Sequence, residues 1–408
     1  MEALVALSGG IDSAAAAALV TERGGRAAAV FMRHRYQPVV ENFTVPSGEL
    51  EVFRPREEGI SSNFERLVWS PELFPLPTDA LVARQLACFL GIPFYICDVD
   101  SLFDRVVAQF TAGYLAARTP NPCTVCNRRL KFGVLVSLAR HLGAKRFITG
   151  HYVRILPVKI WRELPQDNIS VPPRWLVNLP DDQPLLLPSL SGKDQSYVLW
   201  NLDRQVLNCL DFPLGGYSSK EDVRHFVRKR QLPIPQTGES QDICFIPNGN
   251  HWSFIGGYLE AKGESPGGTA GDFVDASGRI IGKHPGYERY TVGQRKGLRT
   301  GFGGRIFVQR IDASRRQVVL GPREALATRA VNAESANWLV DVPMGEPFRC
   351  QVKLRYRSAP LAASVTAAPD GTLLARLDEP FYGAAPGQSL VCYAGGVLLG
   401  GGVIREGG

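Results

Sequence analysis

Two groups of residues have the types and spacing that chemistry demands. The first is Ser8-Gly9-Gly10-Ile11-Asp12-Ser13, between the apolar run 3–7 and an Ala-rich stretch reaching Glu22. Glycines let backbone approach an anion, hydroxyls can donate to it, and a helix starting there offers N–H groups without helical partners. The hexad reads as a phosphate cradle; the plainer alternative is a tight turn with Ser or Asp capping the helix. It lacks the Lys of a GxxxxGK[ST] loop, which disfavours γ-phosphoryl transfer and favours a pyrophosphate-binding role. The second group is a set of thiols. Cys88, Cys97, Cys350 and Cys392 lie in apolar runs, as small buried thiols do, whereas Cys123, Cys126 and Cys244 stand among Pro, Asn, Gln and Asp. Thiols in polar surroundings are more accessible than those in apolar runs, which makes these three the candidates for chemistry. Cys123 and Cys126 also have zinc-knuckle spacing, but a closed site needs two further ligands and no second CxxC exists.

These residues need a scaffold. Residues 3–7 and 27–32 read as strands around an Ala-rich helix, followed by helices over 78–90 and 101–116 separated by a strand over 92–99. A helix over 132–141 then leads into a strand over 145–151. Short apolar strands alternating with helices predict a doubly wound parallel sheet over residues 1–205. The polar segment 35–75 and the Pro-rich segment 154–188 read as long loops or insertions. Residues 206–282 are expected to form a small connecting domain carrying the Cys244 loop. From 283 to 408, short alternating strands split by turns predict an antiparallel β-barrel or sandwich, with Pro369-Asp370-Gly371 as a hairpin turn. The expected class is therefore α/β with a C-terminal antiparallel β-barrel.

Composition narrows the setting. The 408 residues are 45% hydrophobic and 21% charged, enough for large cores and unlike a disordered chain. No apolar run approaches the ~20 residues of a membrane span, and the opening segment lacks the basic start of a signal peptide. A reducing, cytoplasmic compartment is expected. Residues 1–100 hold 8 Lys and Arg against 13 Asp and Glu, leaving 38 against 26 for the remainder. A basic body of that kind suits a polyanionic partner.

The hexad resembles the PP-loop of the N-type ATP pyrophosphatases, which cleave ATP to AMP and pyrophosphate while adenylating a carbonyl oxygen. Further segments follow in order: Thr119-Pro120-Asn121-Pro122-Cys123-Thr124-Val125-Cys126-Asn127, Leu130-Lys131-Phe132-Gly133, Thr149-Gly150-His151-Tyr152, Lys193-Asp194-Gln195-Ser196-Tyr197 and Ser240-Gln241-Asp242-Ile243-Cys244-Phe245. With Tyr290-Thr291-Val292-Gly293-Gln294-Arg295-Lys296-Gly297-Leu298, Arg355-Tyr356-Arg357 and Pro386-Gly387-Gln388, they resemble the signatures of the tRNA-specific 2-thiouridylases. The resemblance implies an ATP-dependent sulfurtransferase acting on uridine in tRNA, at the wobble base, with ATP and Mg²⁺ as cofactors and a protein persulfide as sulfur donor. It implies an ATP site at Ala6, Leu7, Ser8, Gly9, Gly10, Ile11, Asp12, Ser13, Met32 and Gly150, with Asp12 near Mg²⁺. It makes Cys126 the nucleophile and Cys244 the persulfide bearer, joined transiently as a disulfide after turnover. Asn121, Pro122 and Cys123 would meet the target base, and Lys193, Asp194, Gln195, Arg355 and Tyr356 would meet tRNA. Many relatives carry Asp where this chain has Cys123, so the acid/base assignment there stays open. His151 reads as a structural hydrogen-bonding residue. Two other readings remain: a PP-loop ligase forming amides on small molecules, which requires neither three polar-context cysteines nor a basic β tail, and a non-catalytic RNA-binding relative, which leaves the intact loop and thiols unexplained.

Overall fold

In the computed structural model the described residues are 1–39, 50–58, 61–70, 75–164, 172–235, 243–246, 249–265, 269–298 and 305–405. The first strand, β1 (Ala3–Ala6), runs parallel between β2 (Ala27–Arg33) and β6 (Arg146–Ile148), with Val5 opposite both Ala29 and Ile148. Helix α1 (Ile11–Glu22) joins β1 to β2. Its Ala14, Ala15, Ala16, Ala17 and Ala18 are all buried, because methyl side chains let a helix lie close to neighbours on several sides. The sheet continues through β5 (Phe94–Asp98), β3 (Glu51–Pro55) and β4 (Phe64–Val68) on one flank and β9 (Leu210–Asp211) on the other. All neighbours are parallel except β3 and β4. Helices α2 (Thr78–Phe89), α3 (Asp100–Leu115), α4 (Pro122–Cys126) and α5 (Leu135–His141) complete the α/β alternation, with a π-helical turn over Asn127–Val134 between the last two.

Both segments expected to be loops contain structure. Within 35–75, β3 and β4 widen the sheet, and Val52 and Phe53 are buried there. Within 154–188, β7 (Val153–Pro157) pairs antiparallel with β8 (Pro184–Pro188), flanking the short helices α6 (Val158–Arg162) and α7 (Arg174–Val177). Pro157, Pro184 and Pro188 sit at strand ends and Pro173 precedes α7, where a missing N–H is tolerated. Within residues 206–282, β9 joins the first sheet. Helix α8 (Lys220–Lys229) turns Val223 and Val227 into the core that contains the α1 alanines. A capping box starts α8: Ser219 Oγ accepts from Asp222 N–H at 3.1 Å, and Asp222 Oδ2 accepts from Ser219 N–H at 2.9 Å.

The chain divides into two units. One comprises Met1–Val106, Cys123–Glu239 and Gly395–Leu399, the other Val107–Pro122, Ser240–Ala394 and Gly400–Gly408. The second unit opens its later half with α9 (His251–Ala261) and a four-stranded sheet of β10 (Gly271–Val274), β11 (Ile280–His284), β12 (Phe307–Asp312) and β13 (Gln317–Gly321), ordered β11-β10-β13-β12. Phe273, Val308, Ile311, Val318 and Leu320 form its core. A closed barrel follows, β14 (Ala327–Trp338), β17 (Leu373–Tyr382), β16 (Leu361–Ala367), β15 (Pro347–Lys353), β18 (Ser389–Ala394) and β19 (Val397–Ile404), with antiparallel pairing from β18 through β15, β16, β17 and β14 to β19. Of the barrel and sandwich alternatives, closure selects the barrel. The turn at Gly371 has φ +81°, and Asp370 Oδ1 accepts from Thr372 N–H at 2.9 Å, as a hairpin turn requires.

Candidate active site

After β1 the chain builds outward on one side of the strand and returns to its other side at β6, so the carboxyl ends of β1 and β6 bound the point where strand order reverses. Open α/β sheets bind ligands there. The loop leaving β1 carries the hexad, and the loop leaving β6 carries Thr149 and Gly150. A Cβ on Gly150 would lie 2.6 Å from Asp12 C and 2.8 Å from Ser13 N, so only glycine lets the two loops meet. Gly9 has φ +77°, and a Cβ there would lie 2.7 Å from the Asp79 carbonyl oxygen in the first turn of α2.

Helix α1 begins after Gly10 with no side-chain cap. Neither Ser nor Asp of the hexad takes the capping role that the plainer reading required. Ser13 Oγ instead donates to Gly10 O at 2.9 Å and accepts from Ser8 N–H and Ser8 Oγ–H, both at 3.1 Å, which folds the loop on itself. The first N–H groups of α1 stay available to an anion, with the positive end of the helix behind them.

Asp12 is held from two sides. Tyr152 Oη–H donates to its Oδ1 at 2.7 Å, and the Lys220 ammonium lies 3.6 Å from Oδ2. Tyr152, fully buried, is fixed in turn by Gln195: its N–H donates to Gln195 Oε1 at 2.9 Å and its carbonyl accepts from Gln195 N–H at 2.9 Å. Asp194 accepts from Ser196 N–H at 3.0 Å and Ser196 Oγ–H at 2.8 Å, shaping the same turn. The side chains of Asp194 and Gln195 are thus engaged within the chain, and Lys193 precedes them on the turn they build. Met32, half-buried, lies near the carboxyl end of β2, and its carbonyl accepts from Gln37 Nε2 at 3.2 Å. Next to it the buried Arg33 pairs with Asp98 at 2.8 Å.

Cys123 and Cys126 lie on α4, with Cys126 buried and Cys123 half-buried; Cys244 is exposed, and all eight cysteines are thiols. Burial pushes the Cys123 thiol above its ordinary range, and the Lys131 cation offsets only part of that. Burial likewise drives the His151 imidazole well below its ordinary value, so it is neutral, with Nδ1 2.7 Å from Thr149 Oγ1. The π-helical turn after Cys126 carries Lys131, and Asn127 Nδ2–H within it donates to Val198 O at 3.0 Å. Such turns recur at functional sites.

Asn121, Pro122, Arg355, Tyr356 and Cys244 belong to the second unit. The stretch leading to Asn121 is anchored there: Thr119 N–H donates to Pro386 O at 2.7 Å, and Gln388 Nε2–H donates to Thr119 O at 2.8 Å. A Cβ on Gly387 would lie 3.0 Å from Thr119 N. The Arg355 guanidinium donates to the carbonyls of Gly383 and Val292, tying the barrel to the loop of residues 290–298, while Tyr356 stands 38% exposed. Beside Cys244, Phe245 is buried against Phe110 and Phe254, with ring centroids 5.5 and 5.0 Å away. Tyr152, Gln388 and Lys131 fall within quoted segments but carried no assigned role. Lys220 had one local signal, the Ser219 to Asp222 capping-box spacing.

Three family models match the chain: a tRNA methyl transferase HUP domain over residues 1–49 and 69–248, a tRNA methyl transferase PRC-barrel domain over 257–322, and an aminomethyltransferase β-barrel domain over 328–404. Proteins named tRNA-specific 2-thiouridylase MnmA are similar along most of the chain. The one from Chloroflexus aggregans is 36% identical over 410 residues, covering 99% of this chain and 98% of its own. That from Koribacter versatilis is 37% identical over 80% of this chain and 83% of its own, and that from Acidobacterium capsulatum 34% identical over 98% of each. With all three domains matched in order and identity near one third from end to end, the chain belongs to the tRNA-specific 2-thiouridylase (MnmA) family.

Proposed function

We propose that the protein replaces O2 of a tRNA uridine with sulfur, at wobble position 34, consuming ATP. The observation that carries this reading is the uncapped, glycine-lined start of α1 at the strand-order reversal, in a chain that its thiouridylase relatives match over 99% of its length. ATP phosphates fit the N–H groups after Gly10, with Ser8 and Ser13 hydroxyls alongside. Mg²⁺ takes most of its ligands from phosphate and water, and Asp12 would add a carboxylate.

Uracil O2 attacks the α-phosphorus of ATP, the bond to the bridging oxygen breaks, and pyrophosphate leaves. The oxygen, now esterified to AMP, has become a good leaving group. A donor protein's persulfide charges Cys244, whose terminal sulfur attacks C2. The Cys126 thiolate then attacks Cys244 Sγ, the older S–S bond breaks with its electron pair going to the transferred sulfur, and AMP departs. A Cys126–Cys244 disulfide remains, to be reduced by an external thiol in a reducing, cytoplasmic compartment. Cys123, held protonated by burial, acts as a hydrogen-bond donor to the base rather than as its base. Lys193, Arg355 and Tyr356 contact tRNA, while Asp194 and Gln195 hold the turn beneath Lys193.

Nucleosides from tRNA incubated with ATP and a persulfide donor test the scheme by mass. Wild type should yield 2-thiouridine and AMP; Cys244→Ser should still adenylate the base yet transfer no sulfur, and Cys126→Ser should lose multiple turnover. Full thiolation by Cys244→Ser would sink this division of labour.

A further inference from the structure

The loop of residues 290–298 was singled out by its sequence and has no part in the chemistry above. Its backbone extends the four-stranded sheet: Gly293 N–H donates to Val308 O at 2.8 Å and Val308 N–H donates to Gln294 O at 3.0 Å, along the edge of β12 away from β13. This pairing sets Arg295 beside Phe307. Across β12 and β13, Phe307 faces Gly321, two residues before Arg323. Arg295, Arg305, Phe307, Arg323 and Glu324 together line a cavity of about 450 Å³.

Three guanidinium groups against one carboxylate leave the cavity strongly cationic. Arg295, Arg305 and Arg323 are exposed, and among the described residues no ion pair engages any of them. Arg323 is steadied by the Tyr382 ring, 4.3 Å below its guanidinium carbon. Guanidinium forks match phosphate oxygens in pairs, and a half-exposed aromatic ring offers a stacking face to a base. We propose that this cavity binds backbone phosphates of the tRNA, with Phe307 against a neighbouring base. The proposal rests on the tRNA reading above and adds to it a binding site remote in sequence from every residue assigned there.

Binding of an unmodified tRNA transcript to the full chain, measured from low to moderate salt, tests it. The triple variant Arg295→Ala, Arg305→Ala, Arg323→Ala should bind about tenfold or more weakly at low salt, and its log–log salt slope should be shallower by about 1 for each phosphate that is no longer neutralised. Glu324→Gln should bind about twofold or more tightly, an increase that misfolding could not produce. Wild type binding tRNA with the triple variant's curve superimposed would overturn this inference alone; wild type failing to bind would remove the thiolation reading with it. A triple variant that binds tRNA normally but escapes inhibition of ATP turnover by inorganic pyrophosphate would make the occupant a free phosphate compound, and would also overturn the proposal.

Discussion

At the residue scale, the proposed ATP role of the loop turns on Asp12, which its neighbours hold in place. The Tyr152 hydroxyl and Lys220 ammonium approach its two carboxylate oxygens separately, so each fixes a different degree of freedom. A hydrogen bond to a charged group contributes about 1.5 to 3 kcal/mol. Tyr152→Phe should therefore slow tRNA-dependent AMP formation by about tenfold while lowering the melting temperature by only a few degrees, and Asp12→Asn should slow it by about a hundredfold. Near-normal AMP formation in folded Asp12→Asn would remove the ATP assignment of this loop. His34 is a second residue with a consequence of its own. Burial pushes its imidazole down to about 3, the Asp100 carboxylate opposing and the Arg33 and Lys131 cations reinforcing. The unfolded chain takes a proton there below about pH 6.5 and the folded chain does not, so stability present above that pH is lost as pH falls toward 3. Between pH 7.5 and 5.0 this group should remove about 2 kcal/mol. His34→Phe keeps a ring on Phe103, now 3.6 Å away and nearly parallel, and should flatten that part of the slope. Urea midpoints at the two pH values check it, and equal losses in both proteins would show that His34 does not set the slope.

At the element scale, two loops leave neighbouring parallel strands and touch through a glycine. Gly150→Ala places a methyl carbon 2.6 Å from backbone atoms of Asp12, which cannot rotate away as a side chain could. Relief requires moving the start of α1 from β6, at about 1 to 3 kcal/mol. The expected result is a roughly tenfold rise in the ATP concentration needed for half-maximal turnover, with the stabilising effect of added ATP on melting much reduced; an unaltered response would show that the loops need not meet. The alternation that makes β1, α1 and β2 is written in local periodicity, and the helices over 78–90 and 101–116 appear in the structure within a residue or two. Strands β3 and β4 were illegible because their flanks are polar and β4 is largely exposed, leaving no alternation to read. Strand β14 has little alternation for a similar reason: its twelve residues mix Ala, Asn, Arg and Glu, and pairing with β17 and β19 supplies the order that its own side chains do not. In the site, the glycines at which backbone approaches closely were legible, because what a glycine permits is local. The support of Asp12 by Tyr152 and Lys220 was not, since it depends on closures of 140 and 208 residues that no short pattern records.

At the scale of the whole molecule, long closures within the second unit hold the stretch that leads to Asn121 and Pro122. Residues 107–122 share that unit with the barrel, and the hydrogen bonds of Thr119 to Pro386 and Gln388 span well over 250 positions of sequence. Thr119 Oγ1 also lies 3.3 Å from Thr291 Oγ1, so the barrel and the loop of residues 290–298 grip the same residue. The stretch running on to Asn121 and Pro122 is therefore positioned by parts of the chain that share no local sequence with it. Gln388→Ala deletes the donor to the Thr119 carbonyl and leaves Thr119 N–H bonded to Pro386 O. Losing one such bond at a partly buried carbonyl costs about 1 to 2 kcal/mol, too little to unfold a barrel closed by six strands. What it should loosen is the presentation of the base. We expect the single-turnover rate of thiolation to fall by about tenfold while tRNA affinity and the ATP concentration at half-maximal turnover change less than twofold. Gln388→Glu should resemble Gln388→Ala, because a carboxylate cannot donate to a carbonyl. A loss shared equally between affinity and rate would instead make Gln388 part of the tRNA-binding surface, and an unchanged rate in both variants would show that the Pro386 bond alone holds the loop.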